Sequence, residues 1–242
     1  MALRNDRLTP RNNAGFPASE RRIRRSFPSR APAVTLCTKT LFSSETESPS
    51  QADKREAAEG VVSGKIIVFP TDTVYGIGTS ALLPEARDRL YKLKDRDPRK
   101  ALPILVHSAV DARRWAVFSS AAETLAKKHW PGPLTLVLTP SAEGKNLTSP
   151  GTETIAIRVP AHPLTRELIA LSGVPWATTS ANRSGEAACS DGASASAVFS
   201  GRVEFIVNAG VGGGEASTVV DATDMPLKIL REGALSSEEI LK

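Results

Sequence analysis

Cysteine and histidine are scarce in this chain, and with them the usual means of building a metal cage. The 242 residues include two cysteines, Cys37 and Cys189, and three histidines, His107, His129 and His162. Cys37 falls in a segment expected to be removed, which leaves Cys189 without an intrachain partner and excludes a disulfide framework. The histidines are scattered, with no spacing suited to zinc, so no metal site is expected in the protein itself. Aromatic residues make up 5% of the chain and never alternate with basic ones in the stripe that stacks single-stranded nucleic acid. No apolar run reaches the length of a membrane span or a secretory signal. A Walker A sequence is missing, and the glycine run Asn208-Ala209-Gly210-Val211-Gly212-Gly213-Gly214 lacks the spacing and following helix of a dinucleotide fingerprint. That run is read as a flexible loop or lid. The chain is expected to be soluble, intracellular and without internal repeats.

Charge is present but unevenly placed. The formal net charge is +5, a value that invites a nucleic-acid reading. Residues 1–44, however, hold nine basic groups (eight arginines and Lys39) against Asp6 and Glu20, and the rest has 22 basic and 24 acidic residues. The basicity belongs to the leader, not to the domain. An Arg- and Ser-rich, acid-poor leader resembles an organellar transit peptide, with Leu41-Phe42-Ser43-Ser44 as its processing region. The plainer readings are a disordered basic tail or an electrostatic RNA arm. Residues 1–51 are accordingly assigned to a disordered leader and 52–242 to one catalytic domain. The mitochondrion is the expected destination, with the plastid or cytoplasm as alternatives.

The domain is organised around Lys65-Ile66-Ile67-Val68-Phe69-Pro70-Thr71-Asp72-Thr73-Val74-Tyr75-Gly76-Ile77-Gly78. Ile66–Phe69 is a continuous apolar run of the kind buried on both faces of a sheet, and Pro70 ends its pairing. Polar groups packed just past such a strand are what a small-molecule site in an open α/β sheet looks like. Helical spacing follows over Ala52–Val62, from Pro84, after Ser108, after Ser119 or Ser120, over Pro163–Leu171, over Ala193–Phe199 and from Ser236. Further strands are expected at Leu102–Val106, Leu134–Leu138, Thr154–Pro160, Val174–Thr178, Phe205–Val207, Ser217–Asp221 and Leu227–Arg231. Period-2 alternation puts Thr154, Ala156 and Arg158 on one strand face and Ile155, Ile157 and Val159 on the other.

Four polar packets result: Thr73 with Tyr75, Lys94 to Lys100, Ser180 to Asn182, and Ser217 to Arg231, with Arg158 as a further cation. Hydroxyls, amides and cations without paired acids, and without a Ser-His-Asp set, suit binding and orienting an anion, phosphate above all. Catalysis at such a site would rest on positioning and charge stabilisation.

Taken in order, Pro70-Thr71-Asp72-Thr73-Val74-Tyr75-Gly76, Lys94-x-Arg96, Ile155-Ala156-Ile157-Arg158-Val159-Pro160, Thr179-Ser180-Ala181-Asn182-x-Ser184-Gly185, Ser217-Thr218-Val219-Val220-Asp221 and Leu230-Arg231-Glu232-Gly233 resemble the YrdC family. The similarity spans residues 52–242, in a form read as lacking the C-terminal domain of the longer members. It implies an α/β fold, a twisted mixed β-sheet flanked by helices around a large cationic cavity. It also implies a nucleotidyltransferase, an L-threonylcarbamoyladenylate synthase, that converts L-threonine, bicarbonate and ATP into threonylcarbamoyl-AMP and pyrophosphate. The product would feed a downstream threonylcarbamoyl transferase that makes N6-threonylcarbamoyladenosine in tRNA. Carried over by motif, Lys94, Arg96 and Arg158 are the catalytic cations. Thr73, His107, Arg158, Thr178 and Ser217 would contact threonine. Arg96, Lys100, Thr154, Ser180, Asn182 and Arg231 would contact ATP. Mg²⁺ would be held mainly by ATP, and the domain would bind neither membrane nor, stably, nucleic acid. The alternatives are a non-catalytic RNA-binding module and another carbamoyl-transfer enzyme on the same scaffold.

Overall fold

In the computed structural model, residues 36–43, 47–183 and 185–242 are described. In chain order they form β1 (Lys39–Phe42), α1 (Gln51–Val62), β2 (Ile67–Phe69), β3 (Gly76–Ser80), α2 (Pro84–Leu93), β4 (Ile104–Leu105), α3 (Ala109–Trp115), β5 (Ala116–Val117) and α4 (Ser120–His129). There follow β6 (Leu134–Pro140), a 3₁₀ turn (Gly144–Leu147), β7 (Ile155–Arg158), α5 (Pro163–Ser172), β8 (Trp176–Ser180), α6 (Gly192–Phe199), β9 (Phe205–Asn208), β10 (Thr218–Asp221), β11 (Lys228–Arg231) and α7 (Ser237–Leu241). The strands make one mixed sheet in the order β1-β9-β2-β3-β8-β4-β7-β6-β10-β11, with β5 paired to β6 outside this path. Pairing is parallel at β1–β9, β9–β2, β4–β7 and β6–β10, and antiparallel at β2–β3, β3–β8, β8–β4, β7–β6 and β10–β11.

The helices start where the sequence places caps. Ser50, Ser108, Ser119, Asp191 and Ser236 each accept a backbone N–H of the first turn, and Ser236 with Glu239 closes a full capping box. Pro84 and Pro163 open α2 and α5, where a missing N–H costs nothing.

Three strands depart from the expectation, the least of them β5, two residues paired to the end of β6. β3 is glycine-rich, a composition that disfavours strands, yet it lies mid-sheet. A Cβ on Gly76 would fall 2.7 Å from the Phe69 ring, and one on Gly78 would fall 2.8 Å from Thr178 Cγ2. The close approach of β2 and β8 therefore demands glycine there. β1 lies inside the stretch read as leader, and order thus begins earlier than Ala52. Leu41 is 3% exposed, and β1 runs parallel to β9 from Lys39–Phe205 to Phe42–Asn208. Four residues with one buried apolar side chain are too short to register as periodicity. Residues 1–35 and 44–46 of the expected leader, with Ser44 of the expected processing region, lie outside the described residues.

The two sheet faces bury separate cores. Ile66, Val68, Ile77, Leu134, Leu136 and Ile157 face one, covered by α2, α3, α4 and α6. Ile67, Phe69, Leu105, Trp176 and Phe205 face the other with α1 and α5. Strand alternation carries this second face on past its helices through Thr178 and Ser180 of β8, Arg158 of β7 and Thr135 of β6. There the apolar cover stops and the face turns polar.

Candidate active site

The uncovered part of that face is a cavity of about 370 Å³, floored by Phe69, Leu105, Thr178, Arg158 and Thr135 and walled by Thr73, Ser217 and Arg231. A second hollow of about 230 Å³ adjoins it, lined by Lys94, Asp97 and Lys100 among others. The two share Arg96, Thr179, Ser180 and Asn182. Of the residues carried over by motif, eight line the first and Lys94 and Lys100 line the second, so strands far apart in sequence converge as expected. His107 and Thr154 line neither. His107 follows β4 on the outside, 3.2 Å from Asp111 and from Ser108, and Thr154 precedes β7 short of the cavity.

Arg158 is the best-held cation. Its Nε donates to Gly132 O at 3.0 Å, Nη1 to Thr73 Oγ1 at 2.9 Å and Nη2 to Asp72 Oδ1 at 2.7 Å. Five donors less these three leave two N–H groups for a ligand. Asp72 corrects the expectation of cations without paired acids. A buried guanidinium needs a nearby anion, and the Asp72 carboxylate supplies it, also accepting Ala161 N at 2.9 Å. Burial pushes the Arg158 pKa down and Asp72 pulls it back up. The Thr73 hydroxyl lies 2.8 Å from that of Thr71, which donates to Val74 O at 2.6 Å.

Lys94 works differently from a free phosphate ligand. Its ammonium donates to Ser180 O at 2.9 Å, to Asn182 Oδ1 at 2.5 Å and to Asn182 O. It thereby clamps the loop after β8 to the end of α2. Burial, helped by the charge of Arg96, lowers its pKa to about 8. Arg96 donates to Lys100 O at 3.3 Å and Ala101 O at 3.0 Å, so it faces the shared wall with its charge unneutralised by any bonded carboxylate. Arg231 donates to Ser217 O at 2.8 Å and Ser217 Oγ at 3.2 Å, and Ser217 Oγ lies 2.9 Å from Thr135 Oγ1. The Ser180 hydroxyl donates to Asn182 Oδ1 at 3.0 Å, and Thr178 Oγ1 donates to Pro103 O at 3.0 Å, which commits that hydroxyl to backbone.

Sequence reasoning missed Asp72, Thr135 and Glu186 as part of this site. Asp72 was recoverable from the rule that Arg158 needs an acid. Thr135 was recoverable from the Leu134-Thr135-Leu136 alternation, which turns its side chain away from the core. Glu186 carries no such signal. Among the described residues no group of three or more His, Cys, Asp or Glu side chains is placed to hold a metal ion.

The arrangement can therefore receive one anion at Arg158 and Thr73 and a second along Arg96 and Lys100, in the hollow whose wall Lys94 braces. The family model Sua5_yciO_yrdC, described as Telomere recombination, matches residues 60–233. A threonylcarbamoyl-AMP synthase of Pyrococcus abyssi is 39% identical over 192 residues, 78% of this chain and 56% of that protein. Its counterpart in Bacillus subtilis is 36% identical over 84% of this chain and 60% of its own length. Among solved structures, P. abyssi Sua5 complexed with L-threonine superposes with a TM-score of 0.79 at 38% identity, covering 84% of this chain and 60% of that one. E. coli YciO superposes with a TM-score of 0.77 at 25% identity and is covered in full. The chain thus spans less than two thirds of the length of these two curated relatives, and it belongs to the Sua5/YciO/YrdC family.

Proposed function

We propose that this chain is an L-threonylcarbamoyladenylate synthase, joining L-threonine, bicarbonate and ATP into threonylcarbamoyl-AMP with release of pyrophosphate and water. The observation that carries the reading is the shared wall of the two hollows. Arg96, Thr179, Ser180 and Asn182 border both, so a ligand at Arg158 and one at Lys94–Lys100 would meet there. The relative solved with L-threonine supports the first ligand being that amino acid, and the curated relatives' name supports the second being ATP.

The threonine amine and bicarbonate form a carbamate. A carboxylate oxygen of that carbamate attacks the α-phosphorus of ATP, a P–O bond forms and the bond to pyrophosphate breaks. Bringing two anions together costs Coulomb energy. Arg158, through its two uncommitted N–H groups, would hold the amino-acid carboxylate beside the Thr73 hydroxyl. Arg96, with Arg231 and Lys100, would offset charge on the phosphates as it moves to the leaving group. Lys94 acts through the loop it clamps, fixing Ser180 and Asn182 where the ligands touch. No side chain serves as a nucleophile. Mg²⁺ enters as part of the substrate, MgATP, since Mg²⁺ commonly binds through phosphate oxygens and water. Transfer of the product to tRNA would need a separate transferase. The basic N-terminal stretch supports delivery to an organelle, the mitochondrion first, with plastid or cytoplasm as the other outcomes.

The test is pyrophosphate release by the purified chain without tRNA. Release that requires both threonine and bicarbonate is the expected result. Release without threonine would point to another carbamoyl-transfer chemistry, and an absolute need for tRNA to an RNA-dependent module.

A further inference from the structure

The glycine segment Gly212–Gly214 lines neither hollow, yet it is fastened to Thr73, which does. Gly214 N donates to Thr73 O at 2.6 Å and Gly212 N to Ser190 O at 2.6 Å. Upstream, the Tyr75 hydroxyl donates to Gly210 O at 2.8 Å and accepts Ala209 N at 3.1 Å. A Cβ on Gly213 would lie 2.1 Å from Asp72 O and 3.2 Å from Thr73 O. No L side chain fits there unless that main chain moves. Gly214 has φ of +86°, the left-handed region that glycine enters freely. Downstream, Ala216 and Ser217 return to the cavity wall. The run expected as a flexible loop or lid thus passes against the Asp72–Thr73 main chain like a strap.

That dipeptide needs holding from behind. Asp72 is fixed on its side chain through Oδ1 alone, because Oδ2 is buried without a hydrogen-bond partner. We propose that Gly213 and Gly214 are positioning residues, which hold the Asp72–Thr73 main chain from behind and so set where the Thr73 hydroxyl and the Arg158 guanidinium meet the amino-acid ligand. This rests on the threonine-and-ATP reading given above. The nucleotide end is held by other elements, chiefly the segment after α2, and should not sense the strap.

Gly213→Ala in the full chain is the test, with L-threonine and MgATP each titrated by calorimetry. Threonine binding is expected to weaken roughly tenfold, the size of a lost hydrogen bond, with MgATP binding kept within about twofold. Gly173→Ala serves as control. Gly173 caps α5 at φ +64° with open space around it, so this change should lower the melting temperature and leave both affinities alone. Should Gly213→Ala fail to fold, Tyr75→Phe removes only the hydroxyl anchor and is expected to weaken threonine about threefold. Unchanged threonine binding in Gly213→Ala, or equal loss of both ligands, overturns the proposal. A parent protein that binds neither ligand overturns the functional reading and this proposal together, whereas a parent that binds both isolates the failure to the strap.

Discussion

Arg158 donates to Thr73 across 2.9 Å, joining residues 85 positions apart, while its other terminal nitrogen holds Asp72 at 2.7 Å. The Arg158 and Asp72 side chains are 7% and 17% exposed. The pair therefore sits where solvent screens little, and its members depend on each other.

Removing one partner of such a pair leaves an uncompensated charge, at about 3–5 kcal/mol, whereas replacing both is often close to neutral. Arg158→Met should accordingly lose stability of that order in urea denaturation. The double variant Arg158→Met with Asp72→Asn should recover much of it, since the Asn carbonyl can still accept Ala161 N. Equal losses in the single and double variants would show that the pairing contributes nothing.

Sequence alone showed much of this site because its residues sit at strand ends. Alternation put Arg158 opposite Ile155, Ile157 and Val159, and those three are buried in the core under the other face. Ser180, Ser217 and Arg231 lie on or beside expected strands, so sheet order brings them together without further assumption. Features set by close contact stayed hidden. Gly76 and Gly78 look like turn residues until the Phe69 ring and β8 are placed beside them. Gly213 looks like a lid residue until Asp72 O is found against it. His107 was assigned by position in a motif, and a motif carries no information on which way a loop turns.

Lys94 gives the site a pH dependence with two opposed signs. Its pKa falls from the ordinary 10.5 to about 8 in the folded chain. Between those values the unfolded chain binds more protons, so the stability contribution of this group rises with pH from about 8 to 10.5. Over the same range the clamp on Ser180 and Asn182 loses its charge and one donor, and MgATP binding should weaken. Calorimetric titration of MgATP from pH 7 to 9.5 is expected to show an inflection near pH 8, and Lys94→Met should abolish it. An inflection that persists in Lys94→Met would assign it to another group.

Thr73→Ala and Arg231→Ala should differ in selectivity. The Thr73 hydroxyl bonds Arg158 and Thr71 at one end of the cavity, so its loss should weaken threonine roughly threefold to tenfold and spare MgATP. Arg231 touches Ser217 at both its carbonyl and its hydroxyl, and Ser217 would contact threonine on the proposed reading. Arg231→Ala should therefore weaken MgATP by roughly tenfold to a hundredfold and threonine by a smaller factor. Parent-like MgATP binding in Arg231→Ala would remove that residue from the nucleotide site.

The N-terminal boundary of the folded unit can be set by truncation. Leu36 N donates to Gly201 O, Lys39 N to Glu204 O and Ser43 N to Asn208 O, at 2.9, 2.8 and 2.8 Å. The Thr38 hydroxyl donates to Val203 O and accepts Gly201 N. Leu41 is buried in the same core as Val61 and Phe205, beneath α1 and α5, a contribution of about 1.5–3 kcal/mol. The Lys39 ion pairs with Asp53 and Glu56 are exposed and add little. A chain starting at Leu36 should melt with the full-length protein. A chain starting at residue 44 loses β1, bares the edge of β9 and should melt roughly 5–10 °C lower, given about 2–4 °C per kcal/mol for a domain of this size. It should also associate in size-exclusion chromatography, as unpaired edges do. Cleavage at Leu41–Ser44, the processing region read from sequence, would strip this strand, so a transit-peptide cut, if the leader is one, would have to fall before Leu36 to keep the fold. Identical melting of the two truncated chains would show that β1 is dispensable and restore the later cut.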